Sequence, residues 1–123
     1  MTPRCLAILA KVHPELQKVV KLAAKKSPLV FRLTEGVRTL ARQRELFDAG
    51  ASRTMNSRHL TGHAVDFAVE VAGKIRWDWP LYSTVSVAFK DAAKELKIPI
   101  IWGGDWPKFR DGPHVELDRK VYP

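Results

Sequence analysis

The sequence has 123 residues, a length that suits one domain with its own hydrophobic core. No run approaches the ~18 consecutive apolar residues of a membrane-spanning helix, which excludes stable membrane insertion. The single cysteine, Cys5, excludes an internal disulfide and a cysteine-rich zinc cluster. Any metal site therefore has to use His, Asp or Glu side chains.

The net charge is +8, and the first 28 residues contain six basic side chains and one acidic side chain. This basic end suggests an anionic partner, such as nucleic acid or an anionic envelope surface, although a solvated helix face explains it equally well. The lysines have no interleaved aromatic residues and no nucleic-acid-binding motif occurs, so we do not expect nucleic acid as a partner. The N-terminus has no small-residue cleavage site, and no signal peptide is predicted.

A helix and a strand are predicted first along the chain. Pro14 is typical of a first helical turn, and the apolar residues after it keep a helical spacing until Pro28. The segment "LVFRLTEG" then reads as a strand that closes at Gly36.

A second helix is predicted in "LARQRELFDAG", where Thr39 can provide the N-cap. Its apolar side chains are expected to form a buried stripe, and Gly50 is a natural end. The stripe consists of Leu40, Leu46 and Phe47.

The second half of the chain has mostly strand signals. Residues 51–62 are loop-like, "HAVDFAVEV" reads as a strand, and Gly73 predicts a hairpin into "IRW". A third helix covers Val85 to Leu96, and "IPIIW" and "PHVEL" are two further strands. Together these elements predict an α+β domain, residues 1–123, with a small antiparallel sheet and helices packed on one side.

The segment "SRHLTGHAVDF" places two histidines close to an aspartate. Side chains alternate along a strand, so His63 and Asp66 point to opposite faces. His59 precedes the flexible Gly62 and is free to fold over the face of Asp66. A metal pair of His59 and Asp66 is therefore easier to form than one that uses His63.

The third ligand has to come from elsewhere in the chain. His114 follows Pro113 in an extended segment, whereas His13 begins an amphipathic helix and is expected to lie far from these motifs. Two histidines and one carboxylate, with an open position for water, are usual for catalytic zinc. Asp111 is placed to act as the base that such a site needs.

Each of these residues also has an ordinary structural explanation. A lone His59 or His114 is often a hydrogen-bonded or surface histidine. Asp111 in "RDGPH" and Asp105 in "GGDW" are typical turn residues. The prediction therefore depends on the combination of residues and not on any one of them.

Four segments resemble the zinc D-alanyl-D-alanine carboxypeptidases and L-alanyl-D-glutamate endopeptidases, which share the Hedgehog-type fold. "SRHLTGHAVDF" is similar to the family signature Ser-x-His-x-x-Gly-x-Ala-x-Asp, and "WGGDWPKFRDGPHVEL" to its acid-x-x-His motif. "GVRTLARQRELF" resembles the upstream segment, and "VHPELQKVVKLA" resembles the opening helix of the phage endolysin branch.

This resemblance implies a role for particular residues. It implies Zn²⁺ bound by His59, Asp66 and His114, with Asp111 as base and Arg38 as a group that stabilises the oxyanion. Pairing of Arg38 with Glu35 or Asp48 on the surface is the alternative. Three further residues are candidates for contact with a ligand or the substrate: Ser57, Gln43 and Trp102, with Trp106 a second possible wall of the cleft.

The resemblance implies a zinc peptidase that cuts peptidoglycan stem peptides, most simply a phage or prophage lysis enzyme for the L-alanyl-D-glutamate bond. Two alternatives stay open: a D-alanyl-D-alanine carboxypeptidase, and a non-catalytic wall-binding module of the same fold. We expect a monomer without a separate wall-binding domain. We also expect synthesis in the bacterial cytoplasm and action on the wall after release.

Overall fold

The computed structural model describes residues 1–123. The chain forms four α-helices and five strands, with two short 3-10 turns at Arg58–Thr61 and Gly103–Asp105. The helices are α1 (Pro3–Leu9), α2 (Pro14–Lys26), α3 (Leu40–Asp48) and α4 (Trp79–Leu96). The strands are β1 (Val30–Glu35), β2 (Ala64–Val71), β3 (Lys74–Arg76), β4 (Ile100–Trp102) and β5 (His114–Leu117).

The strands form one antiparallel sheet in the order β1-β2-β5-β4, with β3 paired to the end of β2. β2 is the central strand, and its residue Asp66 lies directly opposite His114 of β5. The ladder between β1 and β2 contains a bulge after Leu33, so that Glu35 becomes the partner of Asp66. Glu35, Asp66 and His114 therefore form a row across three strands.

The hydrophobic core lies between the sheet and the paired helices α2 and α4. The alternating residues Val65, Phe67 and Val69 of β2 are fully buried in it, because every second side chain of a strand faces the same side. Phe89 of α4 contacts the ring of Phe67 with centroids 5.2 Å apart. The residues of the central strands that face away from these helices are available to a functional site. No helix is both long enough and apolar enough to cross a bilayer.

The fold confirms the predicted α+β class, the cap at Thr39 and the hairpin at Gly73. The buried stripe predicted for α3 is wrong. Leu40 is 64% exposed and Phe47 is 43% exposed, and the buried side chain of this helix is that of Gln43. The helix packs on polar partners that helical periodicity does not reveal.

The N-terminal region also differs from the prediction. Residues 3–9 form helix α1, which the sequence analysis did not predict, with Cys5 and Leu9 buried. His13 does not lie far from the motif segment, because its backbone N–H donates to the Gly62 carbonyl over 2.8 Å. Its ring also lies 5.2 Å from that of His63, between centroids.

Candidate metal centre

Three side chains from separate segments meet at the floor of an open cleft of about 700 Å³. Nε2 of His59 and Nδ1 of His114 each lie 3.2 Å from Oδ1 of Asp66. One nitrogen or oxygen atom from each residue can be chosen so that all lie within 4.8 Å of one another. Two imidazoles and one carboxylate in this arrangement can hold a metal ion.

The 3-10 turn at Arg58–Thr61 holds His59 in place. The Ser57 hydroxyl accepts a hydrogen bond from the His59 N–H over 3.2 Å and caps the turn. Gly62 ends the turn with a φ of 74°, a left-handed conformation that favours glycine. The His59 carbonyl accepts from the Arg38 N–H over 2.9 Å, which joins the turn to the segment after β1.

Each histidine has its second ring nitrogen bound to a fixed partner. Nδ1 of His59 lies 2.9 Å from the carbonyl of Gly36, and Nε2 of His114 lies 2.9 Å from Oε1 of Glu116. Such partners set the tautomer and the ring orientation of metal-binding histidines. When the rings are neutral, these bonds leave the nitrogens that face Asp66 as lone-pair donors for an ion. The donor set therefore fits a metal ion such as Zn²⁺.

His63 belongs to a different surface. Its Nδ1 lies 2.6 Å from the Thr61 hydroxyl, and its ring faces His13 and not the metal cluster. This agrees with the alternation of side chains along β2, which sends His63 and Asp66 to opposite sides.

Arg38 lies beside Asp66 and is 8% exposed. It forms two hydrogen bonds to Glu35, of 2.7 Å from Nε and 2.9 Å from Nη2, and Nη2 is 3.5 Å from Oδ2 of Asp66. Pairing with Glu35 was the alternative prediction, but it occurs in the interior and not on the surface. Asp48 instead pairs with Arg44. The β1 bulge makes the inner pair possible by turning Glu35 toward Asp66.

Gln43 connects Arg38 to the loop after α3. Its Oε1 accepts from Nη1 of Arg38 over 2.7 Å, and its Nε2 donates to the Ser52 hydroxyl over 2.8 Å and to the Thr54 carbonyl. The side chain is fully buried, so these bonds satisfy polar atoms that water cannot reach.

Electrostatics couple the acidic groups to the two histidines. Burial favours protonation of Asp66, but hydrogen bonds from His114 and His59 hold the pKa of this carboxyl well below its usual range. Burial lowers the pKa of His114, whereas its hydrogen bonds to Asp66 and Glu116 raise it, and the net pKa is about 9. In the absence of a metal, His114 is therefore a cation between two carboxylates.

Asp111 lies in the wall of the same cleft and is half-buried. Burial and the neighbouring charge of Asp66 raise the pKa of Asp111 above its ordinary value. The Asp111 N–H donates to the Gly103 carbonyl over 3.0 Å, which fixes the turn before His114. A Cβ atom at Gly103 would meet the Asp111 carbonyl oxygen at 2.4 Å, so only glycine allows this approach.

The two tryptophans have different positions. Trp102 is a core residue and is not among the residues that line the cleft. It is 5% exposed, and its Nε1 donates to the Gly112 carbonyl over 2.7 Å. Trp106 lines the cleft instead, with its ring centroid 5.0 Å from that of His114. Asp105 is exposed and pairs with Lys90 over 2.7 Å.

The sequence analysis missed the partners that orient the ligands. Glu116 is two residues after His114, and strand alternation alone puts the two side chains on one face. The Gly36 carbonyl had no such signal, because a backbone oxygen can be assigned only after the fold is known. The same is true of Gly103, whose importance comes from the close approach of a distant turn.

Comparison with solved structures shows which proteins share this fold. The fold is that of the vancomycin-resistance D,D-dipeptidase VanXYg, with a TM-score of 0.57, 19% identity, and 86% of this chain and 50% of that chain covered. The L-Ala D-Glu endopeptidase ChiX of Serratia marcescens is far more similar. Its TM-score is 0.95 at 46% identity, with all of this chain and 92% of that chain covered.

The family follows from the sequence comparison. Residues 1–122 match the model of the phage L-alanyl-D-glutamate peptidase family, and the chain belongs to that family. It is similar to the L-alanyl-D-glutamate peptidase of Escherichia phage T5, with 41% identity over 118 residues, which cover 93% of this chain and 85% of the phage protein.

Proposed function

We propose that this protein is a zinc-dependent endopeptidase that hydrolyses the L-alanyl-D-glutamate bond of peptidoglycan stem peptides, as a phage or prophage lysis enzyme. The observation that carries the proposal is the meeting of His59, Asp66 and His114 on the floor of an open cleft. The family of the chain supports the same bond. Residues 1–123 then act as one catalytic domain.

His59, Asp66 and His114 would hold the Zn²⁺ ion. Their ring nitrogens and carboxylate oxygen are the donor types that catalytic zinc uses, and three protein ligands leave a position open for water. The chemistry that Zn²⁺ supplies when bound is a lowering of the pKa of that water to about 7. The hydrogen bonds to Gly36 and Glu116 keep the two rings oriented for this purpose.

Asp111 is the proposed general base. Burial and the charge of Asp66 raise its pKa, which makes the carboxylate a better proton acceptor than an ordinary aspartate. The Asp111 side chain accepts no hydrogen bond within the protein. Its oxygens can therefore take a proton from the attacking water and pass it to the leaving amine.

Arg38 is proposed to stabilise the negative charge that develops on the scissile carbonyl oxygen. Four of the five guanidinium N–H groups are occupied by Glu35, Gln43 and Asp66, and one N–H on Nη1 remains free. Because these partners fix the other N–H groups, the guanidinium needs little reorganisation as the oxyanion forms. Ser57 and Gln43 act through His59 and Arg38, which they position.

Two further parts of the proposal concern the cell envelope. Lys21 and Lys25 on α2 are exposed and take part in no ion pair, which supports electrostatic contact of this helix with anionic envelope surfaces. A peptidoglycan substrate requires action on the cell wall, and the proposal includes synthesis in the bacterial cytoplasm before release.

Digestion of purified Gram-negative-type peptidoglycan tests the function. Mass spectrometry should find L-alanine that is still linked to the sugar, together with peptides that begin with D-glutamate, and a chelator should abolish both. Main release of free D-alanine would instead support the carboxypeptidase alternative. Binding without any cleavage by zinc-loaded protein would support the non-catalytic module.

A further inference from the structure

The cleft contains more positive charge than the proposed chemistry uses. Six basic residues line it, and three of them are held by partners inside the protein. Arg38 is bound by Glu35, and both Arg58 and Arg119 approach Glu116. The other three make neither an ion pair nor a side-chain hydrogen bond, and they are Arg53, Lys108 and Arg110.

Arg53 differs from the other two free cations because aromatic stacking orients it. Its guanidinium carbon lies 4.2 Å from the centroid of the Phe109 ring, and both residues line the cleft. A guanidinium that stacks through its face keeps its N–H edge open, and that edge matches a carboxylate with two parallel hydrogen bonds.

Both residues of this pair are held by unusual local structure. Buried Gln43 binds the residues on each side of Arg53, through the Ser52 hydroxyl and the Thr54 carbonyl. Phe109 has a φ of 54°, a left-handed conformation that a bulky side chain rarely adopts, and its side chain is 61% exposed. Backbone strain at the edge of a cleft points to a role for the ring at that position.

The substrate of the proposed reaction contains a carboxylate that can pair with Arg53. D-glutamate continues a peptidoglycan stem through its γ-carboxyl group, so its α-carboxylate is free and lies next to the scissile nitrogen. We propose that Arg53, stacked on Phe109, binds this α-carboxylate and gives the cleft its preference for an acidic residue after the scissile bond. This assignment rests on the endopeptidase function proposed above.

Two soluble substrates test the assignment with zinc-loaded protein. One is N-acetylmuramoyl-L-alanyl-D-glutamate extended through the γ-carboxyl by a diamino acid, and the other has the α-carboxylate converted to an amide. We expect wild-type protein to prefer the acid over the amide in kcat/KM by about 10- to 100-fold, the range for a charge-assisted hydrogen bond pair. Arg53→Gln should bring that ratio close to one, and Arg53→Lys should restore part of it.

Matched variants separate this role from a general loss of activity. Arg44→Gln, on the exposed side of α3, should leave both rates and their ratio unchanged. An unchanged ratio in Arg53→Gln, an equal loss on both substrates, or a lost preference in Lys108→Gln or Arg110→Gln alone would overturn the assignment. No preference in wild-type protein would overturn it too. Hydrolysis of neither substrate by wild-type protein would instead contradict the endopeptidase function itself.

Discussion

Nε2 of His114 lies 2.9 Å from Oε1 of Glu116, two residues further along the same strand. The two side chains share a face of β5, and Glu116 is 7% exposed. The bond turns the other ring nitrogen of His114 toward Asp66. The orientation of one proposed zinc ligand thus depends on a carboxylate outside the metal cluster.

Glu116→Gln should weaken zinc binding by about 10-fold or more, because the neutral amide makes the His114 ring a weaker donor. A competition titration with a chromogenic chelator measures the affinity. Glu45→Gln, at an exposed position on α3, is the control and should bind zinc as tightly as wild type. Equal affinities in all three proteins would contradict a role for Glu116.

His59→Ala should lose most bound zinc and all hydrolysis, because one of three ligands is removed. His63→Ala should keep nearly full zinc content, since His63 faces His13 on the other side of β2. Metal analysis of the two purified variants provides the comparison. Zinc retained in His59→Ala and lost in His63→Ala would contradict the observed arrangement.

Asp111→Asn should keep zinc and the fold but reduce kcat by about 100-fold or more, the scale of a lost general base. Peptidoglycan hydrolysis and metal content measured on one preparation would separate the two effects. Asp105→Asn is the control, because Asp105 pairs with Lys90 on the surface. A large loss in the control and none in Asp111→Asn would show that the base is misassigned.

Zinc affinity should rise with pH between about 6 and 9. The pKa of His114 in the metal-free protein is about 9, so the ring has to lose a proton before Nδ1 can bind an ion. Apparent affinity should therefore increase close to tenfold per pH unit below that pKa. Calorimetry in buffers of different ionisation enthalpy would measure the protons released, and no release at pH 7 would contradict the prediction.

The raised pKa of His114 also predicts how the stability of the metal-free protein depends on pH. The folded pKa of His114 lies above the ordinary value of 6.5, so protonated His114 stabilises the fold. This contribution is fully present below about pH 6.5 and is lost as the pH rises through about 9. Urea unfolding of the metal-free protein at both ends of this range would measure the loss.

Gln43→Leu should destabilise the protein by about 1–3 kcal/mol, because Arg38, Ser52 and Thr54 lose a buried partner. Urea unfolding would measure the change. Arg42→Leu, one residue earlier on the exposed side of α3, should change the stability by less than about 0.5 kcal/mol. A similar small change in Gln43→Leu would mean that water replaces the lost bonds.

Local patterns in the sequence predicted most of the fold and the three residues of the metal cluster. Proline and glycine positions marked the ends of α2 and α3, and strand alternation separated His63 from Asp66. Two of the errors have the same cause. The burial of Gln43 and the position of His13 near Gly62 both depend on contacts between distant segments. Periodicity describes one element at a time and does not contain these contacts.

The pairing of Asp66 with His114 has a consequence for how the protein acquires its metal. These residues are neighbours across two strands but 48 positions apart in the chain, so the cluster cannot exist before β5 has docked on β2. A nascent chain shorter than 114 residues has only two of the three donors. Zinc uptake during refolding should therefore report the closure of the central strand pair, and a slip by one residue would turn His114 into the core.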